Sequence, residues 1–375
     1  METTSNERLK KLVSLLELER EEDYRLYREQ FYKASFAERR KNGLTWYPVE
    51  LRGEEPAYGD YIQVNLERAT HLNESHQFAG GKNVVFFSNK NNELKEIKGT
   101  IKHVQKNTMA VILRTDELPD WAYEGKLGVN LQFDEQSYEQ MNIAMEKVIS
   151  DNVGRLAELK QIFEGEKQAS FEINDNNIII PNLNLSQNKA IRKAVAAKDI
   201  FVIHGPPGTG KTTTLVQAIR IILQKEKQVL VCAPTNAAVD LLVEKLMEQG
   251  INVLRLGHPA RVSEDLSSTT LDGRIQEHKS YKEIKNLKKT AEEYFRMASK
   301  YKRTFGKEER EQRALFYNEA RKCLTESKFL EDYIQKQLLQ ESQVIACTPV
   351  ISASYLLKEK SFETRSEEHT SVQSH

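Results

Sequence analysis

The chain is 375 residues long and carries 55 basic and 55 acidic residues, so its formal net charge is zero. This length allows two or more domains, and the charge balance requires any basic surface for a nucleic acid to be local. No apolar run is long enough to span a bilayer. The charged N-terminal segment also lacks the apolar centre that a secretory signal peptide requires.

The cysteines Cys232, Cys323 and Cys347 show no metal-binding spacing. Cys232 and Cys347 lie inside apolar runs, where cysteine usually behaves as a small buried hydrophobic residue. We therefore predict a reduced, cytoplasmic protein that has neither disulfides nor zinc and does not associate with a membrane.

The first predicted element is a helix that ends before Gly43, because Leu9, Leu12 and Leu16 recur at helical spacing. Short β-rich runs follow, separated by Gly, Asn and Pro, and one pair reads as a hairpin with its turn at 105–107. Several short strands at this spacing indicate a small barrel.

The barrel segment carries aromatic residues, among them Trp46, Tyr47, Phe86 and Phe87. Aromatic rings stack on nucleic-acid bases, but in a small barrel they more often form the core. None of these four is therefore assigned to a site.

Helix is predicted again after Phe133, and from about Asn177 strands and helices alternate, which indicates a parallel sheet with helical crossovers. This alternation is interrupted by a predicted pair of polar helices with a slight excess of basic residues and with Gly306 near the turn. The stretch "SQVIACTPV" is then predicted to be the next strand. The predicted divisions are a stalk helix at 1–42, a small β-barrel at 43–133, a second stalk helix with linker at 134–176, an α/β domain at 177–271 and 341–364, and a helical hairpin inserted at 272–340.

The stretch "GPPGTGKT" matches the spacing of a phosphate-binding loop, between an apolar strand predicted at 200–203 and an amphipathic helix. Its glycines let successive backbone N–H groups face one point, to which the helix N-terminus adds its positive dipole end. Lys211 is the predicted catalytic residue, because it reaches the β- and γ-phosphates, and Thr212 is the predicted Mg²⁺ ligand. The predicted loop residues for ATP and Mg²⁺ are Gly205, Pro206, Pro207, Gly208, Thr209, Gly210, Lys211, Thr212 and Thr213.

Two flanking stretches narrow the class of nucleotide-binding protein. Gln187 heads the helix before the loop strand, and its amide can pair with the donor and acceptor of adenine, although an ordinary exposed Gln has the same position. After the strand "VLVCAP", the N–H groups at Thr235 and Asn236 suit a nucleic-acid phosphate, and an ordinary helix cap is about equally consistent with them. The stretch "VIACTPV" has the same pattern of an apolar strand followed by a turn, and its predicted strand ends at Thr348.

In this order, "IHGPPGTGKTTT", "CAPTNAAVDLLVE" and "LRLGHPAR" resemble the superfamily 1 helicases of the Upf-type and Smubp-type group, over nearly the whole chain. The resemblance implies an α/β fold: a P-loop, RecA-like parallel sheet with a helical insertion, preceded by a helical stalk and a small β-barrel. It also implies ATP-driven 5′-to-3′ translocation on single-stranded DNA or RNA. Gln187 would read adenine, and the nucleic-acid track would be lined by Pro234, Thr235, Asn236 and Thr348.

Two alternatives remain open at this point. One is another class of P-loop ATPase, such as a ring-forming AAA protein, for which the Gln187 motif, the "APTNAAVD" turn and an upstream barrel are not expected. The other is a nucleic-acid-binding module in which ATP acts only as a switch. A second motor domain would separate the helicase from this module.

The chain ends in "RSEEHTSVQSH", which has no apolar period, cap or turn pattern. In the family that the chain resembles, the strand carrying an Asp-Glu pair begins at this point, with the Asp holding Mg²⁺ and the Glu orienting the attacking water. The string resembles the translation of a sequencing adapter. We therefore expect residues 365–375 to be non-native and the chain to be a truncated, inactive helicase without that carboxylate pair.

Overall fold

The computed structural model describes residues 5–57, 61–90, 93–115, 117–172, 178–299 and 307–368. Its N-terminal segment forms helix α1 (Ser5–Gln30) and a separate short helix α2 (Phe36–Lys41), where the sequence predicted one helix. The second helix starts anew because Ser35 and Glu38 cap each other's backbone N–H groups in a capping box.

Within the described residues, six antiparallel strands then close into a barrel, which confirms the predicted barrel. They are β1 (Thr45–Ala57), β2 (Tyr61–Glu67), β3 (Asn83–Lys90), β4 (Glu93–Val104), β5 (Thr108–Leu113) and β6 (Lys126–Leu131). Their order is β1-β2-β5-β4-β3-β6, and the predicted turn at 105–107 joins β4 to β5. Trp46 and Phe86 are at most 1% exposed and belong to the barrel core, whereas the equally buried Phe87 stacks on Phe36 of α2 and on Tyr47.

Two helices follow the barrel, α3 (Glu135–Ser150) and α4 (Arg155–Phe163). They are separated at residues 151–154, where Gly154 has a φ of 93° that a side chain would disfavour. Helix α3 packs along α1: Arg20 forms an ion pair with Glu135, and the Tyr138 hydroxyl donates to the Asp23 carboxylate at 2.7 Å. The helices on either side of the barrel therefore pack together.

The rest of the chain alternates between helices and short parallel strands. The strands β7 (Val229–Cys232), β8 (Val253–Arg255), β9 (Val344–Cys347) and β10 (Arg365–Glu367) form, within the described residues, one sheet of order β10-β7-β9-β8. The helices are α5 (Leu185–Ala196), α6 (Lys211–Ile222), α7 (Asn236–Met247), α8 (Leu271–Glu277), α9 (Tyr281–Ser299), α10 (Lys307–Glu341) and α11 (Pro349–Ser352).

The central strands of this sheet are buried on both faces. Val231, Val253 and Val344 pack with the apolar sides of α6 and α7, and Leu230, Leu254 and Ile345 pack on the other face with Leu339 and Leu357. Burial on both faces explains why these strands read as continuous apolar runs instead of alternating patterns.

The strand predicted at 200–203, before the glycine loop, is not formed. Val202 is 74% exposed, and among the described residues the segment makes no ladder pair. Because β7 pairs with β9 on one side and with β10 on the other, a further strand would have to pair with the outer edge of β10 or β8, and the described backbone of 200–203 pairs with neither.

Helices α9 and α10 pair along their length, with a Lys288–Glu331 ion pair at 2.8 Å and a stacked Tyr294–Phe316 contact at 6.2 Å between ring centroids. They form the helical pair predicted between β8 and β9. Gly306, predicted near its turn, lies outside the described residues. Within the described ranges, no helix is both long enough and apolar enough to cross a membrane.

The barrel contacts the loop that follows β8. The Arg261 guanidinium donates to the Asn83 side-chain oxygen at 2.9 Å, and Lys102 pairs with Glu264 at 2.7 Å. These polar contacts join the first residues of β3 and the body of β4 to the α/β domain, so the barrel and the sheet are in direct contact.

His258 is the most perturbed titrating group at this junction. Its ring lies 5.1 Å from the Tyr61 ring, and its Nδ1 accepts from the Ala260 N–H at 3.2 Å, which caps a 3₁₀ turn. Burial, together with repulsion from Arg114 and Arg261, lowers the pKa of His258 to about 4. The imidazole is therefore neutral in the folded protein at physiological pH.

Replacing His258 with asparagine is expected to flatten the pH dependence of stability. The unfolded imidazole gains a proton below its ordinary pKa of 6.5 and the folded one only near 4. The free energy of unfolding of the wild type should therefore fall as pH drops through this window, by on the order of 3 kcal/mol in total and by roughly 2 kcal/mol between pH 7 and pH 5. The Asn oxygen can replace Nδ1 as the cap. Urea titrations at about pH 7 and about pH 5 measure the effect, with exposed His204→Asn as the control. Equal losses in wild type and His258→Asn would contradict the assignment.

Candidate nucleotide and nucleic-acid site

The candidate site lies at the carboxyl edge of the parallel sheet. Thr235 follows β7, Thr348 follows β9 and Glu368 follows β10, and because the strands are parallel these residues leave the sheet at one edge. Ligands of α/β proteins bind at this edge, where loops and helix N-termini converge. The glycine loop 205–210 leads into α6 at the same edge, through the contact of Thr212 with Glu368.

The loop depends on its glycines. Gly208 and Gly210 have φ values of 78° and 77°, and Gly210 is the N-cap of α6. A Cβ on Gly205 would lie 2.7 Å from the Thr209 hydroxyl, and a Cβ on Gly210 would lie 2.7 Å from the Gln187 amide nitrogen. Both contacts are shorter than a real Cβ makes, so the spacing of the glycines reflects the shape of the loop.

Lys211 begins α6 and folds back over the loop. Its ammonium donates to the carbonyl oxygens of Gly205 at 2.8 Å and Pro206 at 3.0 Å, and the Thr209 hydroxyl donates to the same Pro206 oxygen at 2.8 Å. The cation, the loop and the N-terminus of α6 thus face one region, which combines a point charge with the positive end of a helix dipole. This combination suits a phosphate group.

Thr212 and Glu368 bring two oxygen ligands together. The Thr212 hydroxyl donates to the Glu368 carboxylate at 2.6 Å, and Glu368 is 8% exposed. Across the described residues, no group of three or more His, Cys, Asp or Glu side chains could hold a metal ion by itself. Mg²⁺ usually takes one or two protein oxygens together with phosphates and water, so the Thr212–Glu368 pair fits the predicted ion.

The predicted absence of the Asp-Glu pair stays a prediction, but the structure places one carboxylate, that of Glu368, beside Thr212. Phe362 packs into the apolar cluster under the sheet, and the backbone N–H and hydroxyl of Thr364 donate to Glu226 at 3.1 and 2.6 Å. These contacts direct the chain alongside β7, so that β10 forms and Glu368 reaches Thr212. Residues 369–375 lie outside the described residues, and the non-native origin of the tail remains a prediction.

Replacing Glu368 with glutamine should weaken ATP binding in the presence of Mg²⁺ by about tenfold and leave binding in EDTA unchanged. The reason is that an amide oxygen is a weaker ligand for a hard cation than a carboxylate. Titration calorimetry with and without Mg²⁺ measures the difference. Glu363→Gln, at an exposed carboxylate two residues before β10 begins, is the matched control. An equal effect of both substitutions would argue against a role at the ion.

Gln187 contacts the glycine loop directly. Its amide nitrogen donates to the Thr209 carbonyl at 3.1 Å, while its oxygen accepts from the Asn184 N–H at 3.0 Å in a capping box at the start of α5. The structure therefore brings Gln187 next to the loop, as a base-reading residue requires. In this state its donor and acceptor bond to the protein, and its role toward adenine remains a prediction.

The predicted nucleic-acid residues lie around two turns. Pro234 and Thr235 are exposed, and the Thr235 hydroxyl accepts from the Ala238 N–H at 3.2 Å, so the capping interpretation of Thr235 holds in the structure. Asn236 accepts from Arg255 at 2.9 Å. Thr348 differs, because its side chain makes no capping bond at the start of α11.

The sequence interpretation missed the structural role of Arg255. It is fully buried, and its guanidinium donates to Asp240 and Asn236 at 2.9 Å each and to the Leu256 carbonyl. Asp240 also accepts from the Ser263 N–H at 2.9 Å. This network links the turn after β7 to the end of β8. The sequence signal for this role was the position of a charged residue, Arg255, inside the apolar run "VLRLG".

Comparison with known proteins agrees with this site. A family model described as an AAA domain matches residues 182–365, which include the glycine loop and both turns. The DNA-binding protein SMUBP-2 of Rattus norvegicus is 28% identical over 346 residues, covering 90% of this chain and 34% of its own length. An uncharacterized ATP-dependent helicase of Methanocaldococcus jannaschii is 27% identical, covering 78% of this chain and 44% of its own length.

The ATP-dependent helicase upf1 of Schizosaccharomyces pombe is 38% identical over 123 residues, which are 30% of this chain and 13% of that protein. The chain spans less than half the length of each of these three relatives. Fold and site define a nucleotide-binding α/β protein with an upstream barrel. The chain belongs to the Upf-type group of superfamily 1 helicases.

Proposed function

We propose that the protein is an ATP-dependent helicase that moves along single-stranded DNA or RNA in the 5′-to-3′ direction. The observation that carries this proposal is the glycine loop 205–210, which closes over the N-terminus of α6 with Lys211 and Thr212 in its first turn. The names of the relatives support ATP use and helicase activity. A cytoplasmic location, predicted from the cysteine spacing in the sequence, is part of the same proposal.

Residues of the glycine loop, α5 and α6 would bind ATP together. Lys211 would exchange the carbonyls of Gly205 and Pro206 for the β- and γ-phosphates, and the backbone of residues 205–213 would enclose the phosphates. Gln187, already at the loop, would orient adenine. Thr212 would hold Mg²⁺, which when bound neutralises charge on the phosphates.

The nucleic acid would bind across the turns after β7 and β9. Thr348, whose hydroxyl makes no capping bond, lies at the same edge of the sheet as the nucleotide loop and the exposed Pro234 and Thr235. Contacts of this kind to the sugar–phosphate backbone give affinity without sequence preference. Because the two proposed sites are adjacent, ATP binding can change the affinity for the nucleic-acid strand. Translocation requires such a change.

Thr348→Ala is expected to weaken binding of oligo(dT) or oligo(U) by about threefold to tenfold, which corresponds to one lost hydrogen bond. Stability should hardly change, because the Thr348 side chain makes no capping bond. Affinity should fall linearly with the logarithm of salt concentration, with the same slope in wild type and variant, since threonine is uncharged. Fluorescence anisotropy at several salt concentrations measures both quantities.

Ser352→Ala on α11 is the matched control, because its hydroxyl bonds the Pro349 carbonyl within the same helix. Unchanged affinity in Thr348→Ala would remove this residue from the proposed track. A sequence-specific duplex preference that is insensitive to salt would contradict the helicase proposal. Unwinding of duplexes with a 5′ overhang, compared with a 3′ overhang, tests the direction.

A further inference from the structure

Cys232 and Cys347 form a close pair of thiols in the sheet. They end the adjacent strands β7 and β9 and are partners in the parallel register, so their side chains leave the same face. Their sulfur atoms lie 4.0 Å apart. Neighbouring strands are about 4.8 Å apart, which is within the Cα separations of about 4.4–6.8 Å that disulfides span.

The two thiols have different environments. Cys347 is fully buried, whereas Cys232 is only partly buried. A partly exposed thiol next to a fully buried one is the arrangement of an attacking and a resolving cysteine.

We propose that Cys232 and Cys347 are a reversible dithiol–disulfide pair that reacts with low-molecular-weight disulfides such as oxidised glutathione. The Cys232 thiolate attacks one glutathione sulfur, the glutathione S–S bond breaks, and one glutathione leaves as a thiolate. Cys347 then loses its proton and attacks the Cys232 sulfur, and the second glutathione leaves. Two protein thiols are oxidised to one disulfide and one glutathione disulfide is reduced to two thiols.

The bond would change the carboxyl edge of the sheet. Its two sulfurs must approach from 4.0 Å to about 2.05 Å, and this draws together the strand ends that lead to Thr235 and Thr348. On the proposed function, those turns hold the nucleic acid, so oxidation should weaken single-strand binding by about threefold or more, the effect of losing one hydrogen bond. ATP binding at the loop should change less.

The test incubates the full chain with oxidised glutathione and measures its mass under denaturing conditions, followed by peptide mapping. We expect loss of two hydrogens and one linked pair of peptides that contain Cys232 and Cys347. Cys323→Ser should behave like the wild type, because Cys323 lies on α10. Cys347→Ser should instead accumulate glutathione on Cys232, because the resolving thiol is gone.

A link that involves Cys323, or a wild-type chain that stays fully reduced, would overturn the disulfide. Oligo(dT) binding by the reduced chain tests the proposed function separately. If the reduced chain binds single strands and the oxidised chain binds them equally well, the effect on the nucleic-acid edge is refuted even though the disulfide forms. Dithiothreitol should restore the original affinity and mass.

Discussion

Replacing Lys211 with alanine is expected to weaken binding of ATP–Mg²⁺ by about tenfold to a hundredfold, which abolishes most of the binding at moderate nucleotide concentrations. Charge-assisted hydrogen bonds contribute about 1.5–3 kcal/mol each. The Lys211 ammonium is already placed over the loop, 2.8 Å from the Gly205 carbonyl. Its loss leaves the phosphates with backbone N–H groups and the helix dipole alone.

Titration calorimetry with ATP in Mg²⁺ measures this effect directly. Lys189→Ala is the matched control, because Lys189 is an exposed lysine on α5, the helix that carries Gln187 to the loop. Circular dichroism of both variants verifies that the fold is retained. Equal ATP affinity for the wild type and Lys211→Ala would remove the glycine loop from the proposed function.

Replacing Arg255 with methionine is expected to lower the free energy of unfolding by about 3–5 kcal/mol, the range for breaking a buried ion pair on one side. Arg255 is fully buried, whereas its partner Asp240 would keep a negative charge with one remaining bond, from the Ser263 N–H. Asn236 would lose its partner as well. The turn after β7 should therefore loosen along with the whole α/β domain.

Urea titration measures the change, and Arg220→Met, an exposed arginine in the last turn of α6, is the control. A double-variant cycle isolates the pair. Asp240→Ala should cost less in the Arg255→Met background than in the wild type, because the carboxylate is then already unpaired. Additive effects of the two substitutions would show that Arg255 and Asp240 do not stabilise each other.

Local sequence determined the features that depend on neighbouring residues. The spacing of Gly205, Gly208 and Gly210 before Lys211 identified the loop, because turn geometry and helix capping are set within a few residues. The barrel followed from short strands separated by turn residues, including the hairpin at 105–107. Family resemblance in three short stretches was sufficient to place the chain among superfamily 1 helicases.

Tertiary structure alone decided which distant residues meet. Glu368 lies 156 positions from Thr212 and Cys347 lies 115 positions from Cys232, and each pair is in contact. The apolar segment 200–203 has the composition of a strand, yet in the described part of the chain it pairs with neither outer strand of the sheet, β10 or β8. Strand pairing and burial are long-range interactions, and local sequence periodicity carries no information about which partners they select.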